Sequence, residues 1–127
     1  MKFQSYLFVA ICMVICMGFM VVDAEAGDGT PVMVHFISLP THMPNGANAE
    51  AAFKTFQAEM VMLAGGFSEL GGARGGSLHA DGVAPRDNMY YIVSAKRDIS
   101  AEIKKVIQQL FGIEKVFILV WPGHMVR

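Results

Sequence analysis

The chain has 127 residues, enough for one domain with a single core and too few for two. Ten Lys and Arg against 11 Asp and Glu leave a net charge of −1, which excludes the basic surface that a nucleic acid or an anionic membrane recruits. Hydrophobic residues make up 54%, but the excess is concentrated at the N-terminus and does not describe the remainder.

That N-terminal excess has the plan of a secretory leader. Lys2 supplies a positive start, residues 7–22 form an uncharged apolar run, and Ala24-Glu25-Ala26 gives the small-x-small pattern at which signal peptidase cuts. The run is shorter than the roughly 20 residues a spanning helix needs. The expectation is a signal peptide over 1–26, cleavage after Ala26, and export to the periplasm or the medium; membrane attachment would arise only through an uncleaved leader. Both cysteines, Cys12 and Cys16, fall in the leader. Residues 27–127 therefore hold no disulfide and no thiol nucleophile, and without Lys2, Asp23 and Glu25 their charges balance.

Residues 31–39 (PVMVHFISL) are β-branched and aromatic between prolines, which predicts a strand. Residues 40–48, with two prolines and Asn45-Gly46, read as a loop. From Ala49 the period changes: Phe53, Phe56, Met60 and Leu63 form a helical stripe stopped by Gly65-Gly66. Residues 67–80 are rich in glycine, with pairs at 71–72 and 75–76, and predict a bent or bulged strand. Asp81-Gly82 suits a tight turn, and residues 85–88 read as a continued connection. Residues 89–95 (MYYIVSA) predict a strand. Asp98 or Ser100 can cap a second helix with the stripe Ile103, Val106, Ile107 and Leu110, closed by Gly112. Residues 115–121 (KVFILVW) predict the last strand, ended by Pro122-Gly123.

The order β-α-β-β-α-β predicts an α+β fold of the ferredoxin-like plan: one antiparallel sheet with strands 4-1-3-2 and both helices on one face. The first and last strands carry apolar side chains at both parities: Val32, Val34 and Phe36 against Met33, Ile37 and Leu39, and Val116, Ile118 and Val120 against Phe117, Leu119 and Trp121. Two helices cover one face only. The uncovered face predicts a homodimer packed sheet to sheet.

From Gly66-Phe67 through Leu70, Gly72, Gly75, Asp81-Gly82, Arg86, Tyr91-Ile92-Val93, Asp98, Ile103 and Ile107 to Phe111-Gly112-x-Glu114-x-Val116, the chain resembles a family of exported bacterial domains of unknown function. The resemblance implies the same α+β layout and an exported location, and it brings no activity, cofactor or site residue.

Three of four histidines have a methionine close in sequence: Met33 by His35, His42-Met43 and His124-Met125. Imidazole with thioether suits copper. With the last strand antiparallel to the first, Met33, His35, His124 and Met125 form the one plausible copper set, whereas His42 and Met43 lie at the far end. Structural roles for these residues are favoured over a metal, since methionine more commonly fills cores. The run Gly71-Gly72-Ala73-Arg74-Gly75-Gly76 lacks the lysine of a phosphate-binding loop, and a bulged strand is favoured over an anion-binding nest. No Ser-His-Asp or Cys-His set is legible. His35 is the candidate catalytic residue, placed beside Met33, Tyr90 and Trp121 in a sheet-face pocket of a small dimeric cofactor-free oxygenase or isomerase, a reading by fold analogy. The favoured reading is a non-catalytic binding or assembly module without a cofactor, self-associating and taking an unidentified small ligand or protein.

Overall fold

A run of β-branched and aromatic residues between prolines gives the first strand, β1 (Thr30–Pro40), in a computed structural model that describes residues 29–127. The expected leader, with Cys12 and Cys16, lies outside the described residues. The elements that follow are α1 (Glu50–Ala64), β2 (Ser68–His79), β3 (Gly82–Ala95), α2 (Ser100–Phe111) and β4 (Phe117–Met125). The sheet order is β2-β3-β1-β4 with every pairing antiparallel, which is the ferredoxin-like arrangement expected.

Each helix starts on an Asx side chain and stops on a glycine. Asn48 Oδ1 accepts the Glu50 N–H at 2.7 Å, and Asp98 Oδ1 accepts the Ser100 N–H at 2.8 Å. Gly65 (φ 82°) and Gly112 (φ 63°) adopt the left-handed conformation that ends a helix and donate back to the Val61 and Gln108 carbonyls. The helices bury Phe56, Met60, Ile103, Ile107 and Phe111 against Ile37, Leu39, Tyr91 and Val93 of the sheet. Tyr91 is the hub, with the rings of Phe56, Phe67 and Phe53 at centroid distances of 5.2, 5.9 and 6.3 Å. No helix among the described residues is long and apolar enough to cross a membrane.

The structure corrects three expectations. Leu63, expected in the first helical stripe, is exposed, because α1 buries its Phe56–Met60 side and leaves its last turn in water. Residues 85–88 belong to β3 rather than to a connection: the β2–β3 hairpin turns through Ala80-Asp81 into Gly82 (φ 111°) and is paired along its whole length. Before Asn88, β3 has β2 on one side and no strand on the other, so Pro85 is tolerated although it cannot donate. Likewise β4 does not stop at Pro122. It is an edge strand, Pro122 pairs with Met33, and the ladder runs on to Met125 opposite Thr30. Gly123 leaves room there, since a Cβ would stand 3.0 Å from Val34 Cγ2 and press on that side chain. The bulge expected in β2 occurs between Glu69 and Gly71, with Gly71 at φ 94°.

Candidate functional site

His35 lies in β1 on the side covered by the helices and is fully buried, whereas the sequence reading put it in a pocket with Tyr90 and Trp121. The register explains the difference. Trp121 pairs with Val34 and Tyr90 with Ser38, so both project from the opposite face. His35 Nδ1 donates to the Val93 carbonyl at 3.1 Å, and Nε2 accepts the Ile99 N–H at 3.1 Å, which fixes the Nδ1–H tautomer. The imidazole thus ties β1, β3 and the start of α2 together. Asp98 Oδ1 stands 3.3 Å from the same Nε2. Hydrogen bonds from the Ser100 hydroxyl and N–H hold the exposed Asp98 carboxyl below its ordinary range.

The four residues of the copper reading do not converge. His124 pairs with Pro31 and Met125 with Thr30, so these two point to opposite faces, and His35 is committed to backbone groups. Met125 Sδ instead accepts from Arg127 Nε at 3.2 Å. Among the described residues no three His, Cys, Asp or Glu side chains are grouped as a metal site. His42 stands at the far end of β1, where Thr41 Oγ1 shares a hydrogen bond with its Nδ1 at 3.1 Å.

Two features do carry potential for recognition. One is the sheet face away from the helices. Phe36 stacks on Tyr90 with centroids 5.3 Å apart, and Val34 and Ile92 share the face with them. β4 adds Phe117, Leu119 and Trp121, which are 53%, 49% and 42% exposed. The register decides which parity of β4 stays uncovered: Ile118 pairs with the buried Ile37 and packs in the core, leaving its neighbours outside.

The other is an open cleft of about 950 Å³ at the end of the sheet where β1 finishes. Its walls are the connection after β1, the projecting part of the β2–β3 hairpin, and the connection from α2 to β4. Thr41 anchors the first wall to the hairpin, donating from its N–H and its hydroxyl to the Asp87 carbonyl at 3.2 and 3.1 Å. Arg86, Asn88 and Tyr90 line the cleft from β3, with Lys115 and Phe117 across it. Arg86 and Asn88 were missed in the sequence because Pro85 disguised the first half of the strand as a loop. Had the strand been recognised, the period-two spacing of residues 86, 88 and 90 would have put them on one face. The glycine run is part of the same cleft and forms a strand rather than an anion nest. Arg74, its only charge, pairs with Asp87 at 3.5 Å.

The fold and these surfaces define a small α+β protein of the ferredoxin-like class. No protein-family model and no curated protein sequence matches the chain. Among solved structures it is similar to the divalent cation tolerance protein CutA1 from Thermus thermophilus, with TM-score 0.59 and 15% identity over 76% of this chain and 87% of that one. CutA1 from Oryza sativa is similar too, with TM-score 0.61 and 11% identity over 78% of this chain and 85% of that one. At these identities the likeness is one of fold.

Proposed function

We propose that the protein is a non-catalytic binding and assembly module that self-associates through the sheet face away from its helices. The observation that carries this reading is the apolar surface formed by Val34, Phe36, Ile92, Phe117, Leu119 and Trp121 on one continuous face. Monomers rarely leave such a surface in water, and burying each large side chain contributes about 1.5–3 kcal/mol before the cost of association. The same face meeting itself about a two-fold axis gives the homodimer. The reading is favoured over an enzyme built on His35, because that imidazole spends both nitrogens on backbone groups inside the core. It is favoured over a Met/His copper site because His124 and Met125 diverge. Sedimentation of the purified protein tests it. Association at tens of micromolar is expected, and a persistent monomer that binds no hydrophobic dye overturns the proposal.

The site of action we propose is outside the cytoplasm, as the leader-like N-terminus and the resemblance to exported domains suggest. Intact mass and N-terminal sequencing of protein expressed from the full gene check this. A chain starting at Gly27 is expected, and one still starting at Met1 contradicts cleavage.

A further inference from the structure

On the face of β3 that borders the cleft, Arg86, Asn88 and Tyr90 follow one another at every second residue. Their cross-strand partners on β2 are Gly75, Ala73 and Gly71, which present almost no side chain. The polar groups therefore lie over nearly bare backbone. Asn88 Nδ2 and Tyr90 Oη stand 3.0 and 3.3 Å from the point a Cβ on Gly75 would occupy, so two donors converge on a spot kept open by a glycine. The hydrogen bonds along this stretch belong to Asp87 and Tyr91. Among the described residues the side chains of Asn88 and Tyr90 have none.

The charges point the same way. Asp87, the carboxylate next to Arg86, is engaged by Arg74 at 3.5 Å. Arg86 and Lys115 form no ion pair among the described residues. Glu114 adjoins Lys115 in the chain, so a carboxylate neighbours that cation, whereas the carboxylate next to Arg86 is taken up by Arg74. The guanidinium fork of Arg86, lining the same cleft as the Asn88 amide and the Tyr90 phenol, offers with them donors suited to the lone pairs of a carboxylate or a phosphate. Phe117 and Ile113, which line the same cleft, offer an apolar surface to the rest of such a molecule.

We infer that this cleft is a binding site for a small carboxylate- or phosphate-bearing molecule, its anionic group held by Arg86, Asn88 and Tyr90 over Gly75. All of these groups come from one chain, so the inference does not rest on self-association. Titration of the full-length protein with benzoate, with inorganic phosphate and with neutral benzamide, followed by calorimetry or by NMR shifts, tests it. Saturable binding of at least one anion is expected, with benzamide at least about tenfold weaker than benzoate wherever benzoate binds. Binding by benzoate alone identifies an organic carboxylate with an apolar body, and binding by phosphate identifies a phosphate group. Arg86→Gln and Gly75→Ala should each weaken that binding about tenfold or more, the first by removing the charge and the second by filling the spot where the donors meet. Gly75 does not have a positive φ, so alanine is compatible with its backbone. Arg97→Gln, which changes a surface arginine paired with Glu102 elsewhere, should leave binding unchanged. The inference is overturned if neither anion binds saturably, if benzamide binds as well as benzoate, or if either cleft substitution leaves affinity intact in a protein with unchanged melting temperature.

Discussion

His35 shows how much one polar side chain can hold when it is buried among apolar neighbours. Its two nitrogens satisfy the Val93 carbonyl and the Ile99 N–H, groups from two elements distant in sequence. His35→Ala removes both partners and leaves a cavity, and from these two effects a loss of about 2–4 kcal/mol is expected, measured as a lower midpoint in urea with an unchanged slope. Tyr91 carries a different sensitivity. Burial pushes its phenol up to about 12, opposed by the hydrogen bond from Gln57 and reinforced by the hydrogen bond to Glu69 and that residue's charge. The unfolded chain ionises this group near pH 10, so folding is favoured by the neutral form. The associated stability is complete below that pH and is lost as pH rises toward 12. A series of urea midpoints from pH 9 to pH 12 should fall steeply for the native protein and less steeply for Tyr91→Phe. Equal slopes would count against the burial of the phenol as the cause.

The two helices were legible in the sequence because their signals are local. Apolar residues recur at helical spacing, and Gly65 and Gly112 stand where a left-handed residue is needed. The strand order followed from the element order, which matches the ferredoxin-like plan. Strand limits were harder to read, and for one reason. Pro85 and Pro122 look like breakers in a one-dimensional reading, yet each sits in a strand with a free side. Which elements have a free side is decided by tertiary pairing, which no local pattern contains. The cost of that ambiguity was the continuity of the row Arg86, Asn88 and Tyr90: the first two fell in a supposed loop and Tyr90 in the strand after it. His35 was misplaced for a related reason: both parities of β1 are apolar, so no local pattern marks the face that the helices cover.

For the molecule as a whole, the register separates the residues that hold the fold from those on the open face through which self-association is proposed. Ile118 lies against the core and Leu119 points away from it. Leu119→Asp should dissociate the assembly while the far-UV spectrum and cooperative unfolding persist, whereas Ile118→Asp should unfold the chain by burying an unpaired charge. Sedimentation and circular dichroism on the two variants distinguish these results, and a Leu119→Asp protein that associates like the native one removes the open face from the proposal. Tyr90 and Phe117 belong to both surfaces: each projects from the open face, and each lines the cleft. The proposed occupancy and the proposed self-association therefore share side chains, and as such would be linked equilibria. Whatever factor the anion contributes to the association constant, association must return to the affinity for the anion, so a tighter assembly in the presence of benzoate and a tighter benzoate complex at high protein concentration are one quantity seen from two directions.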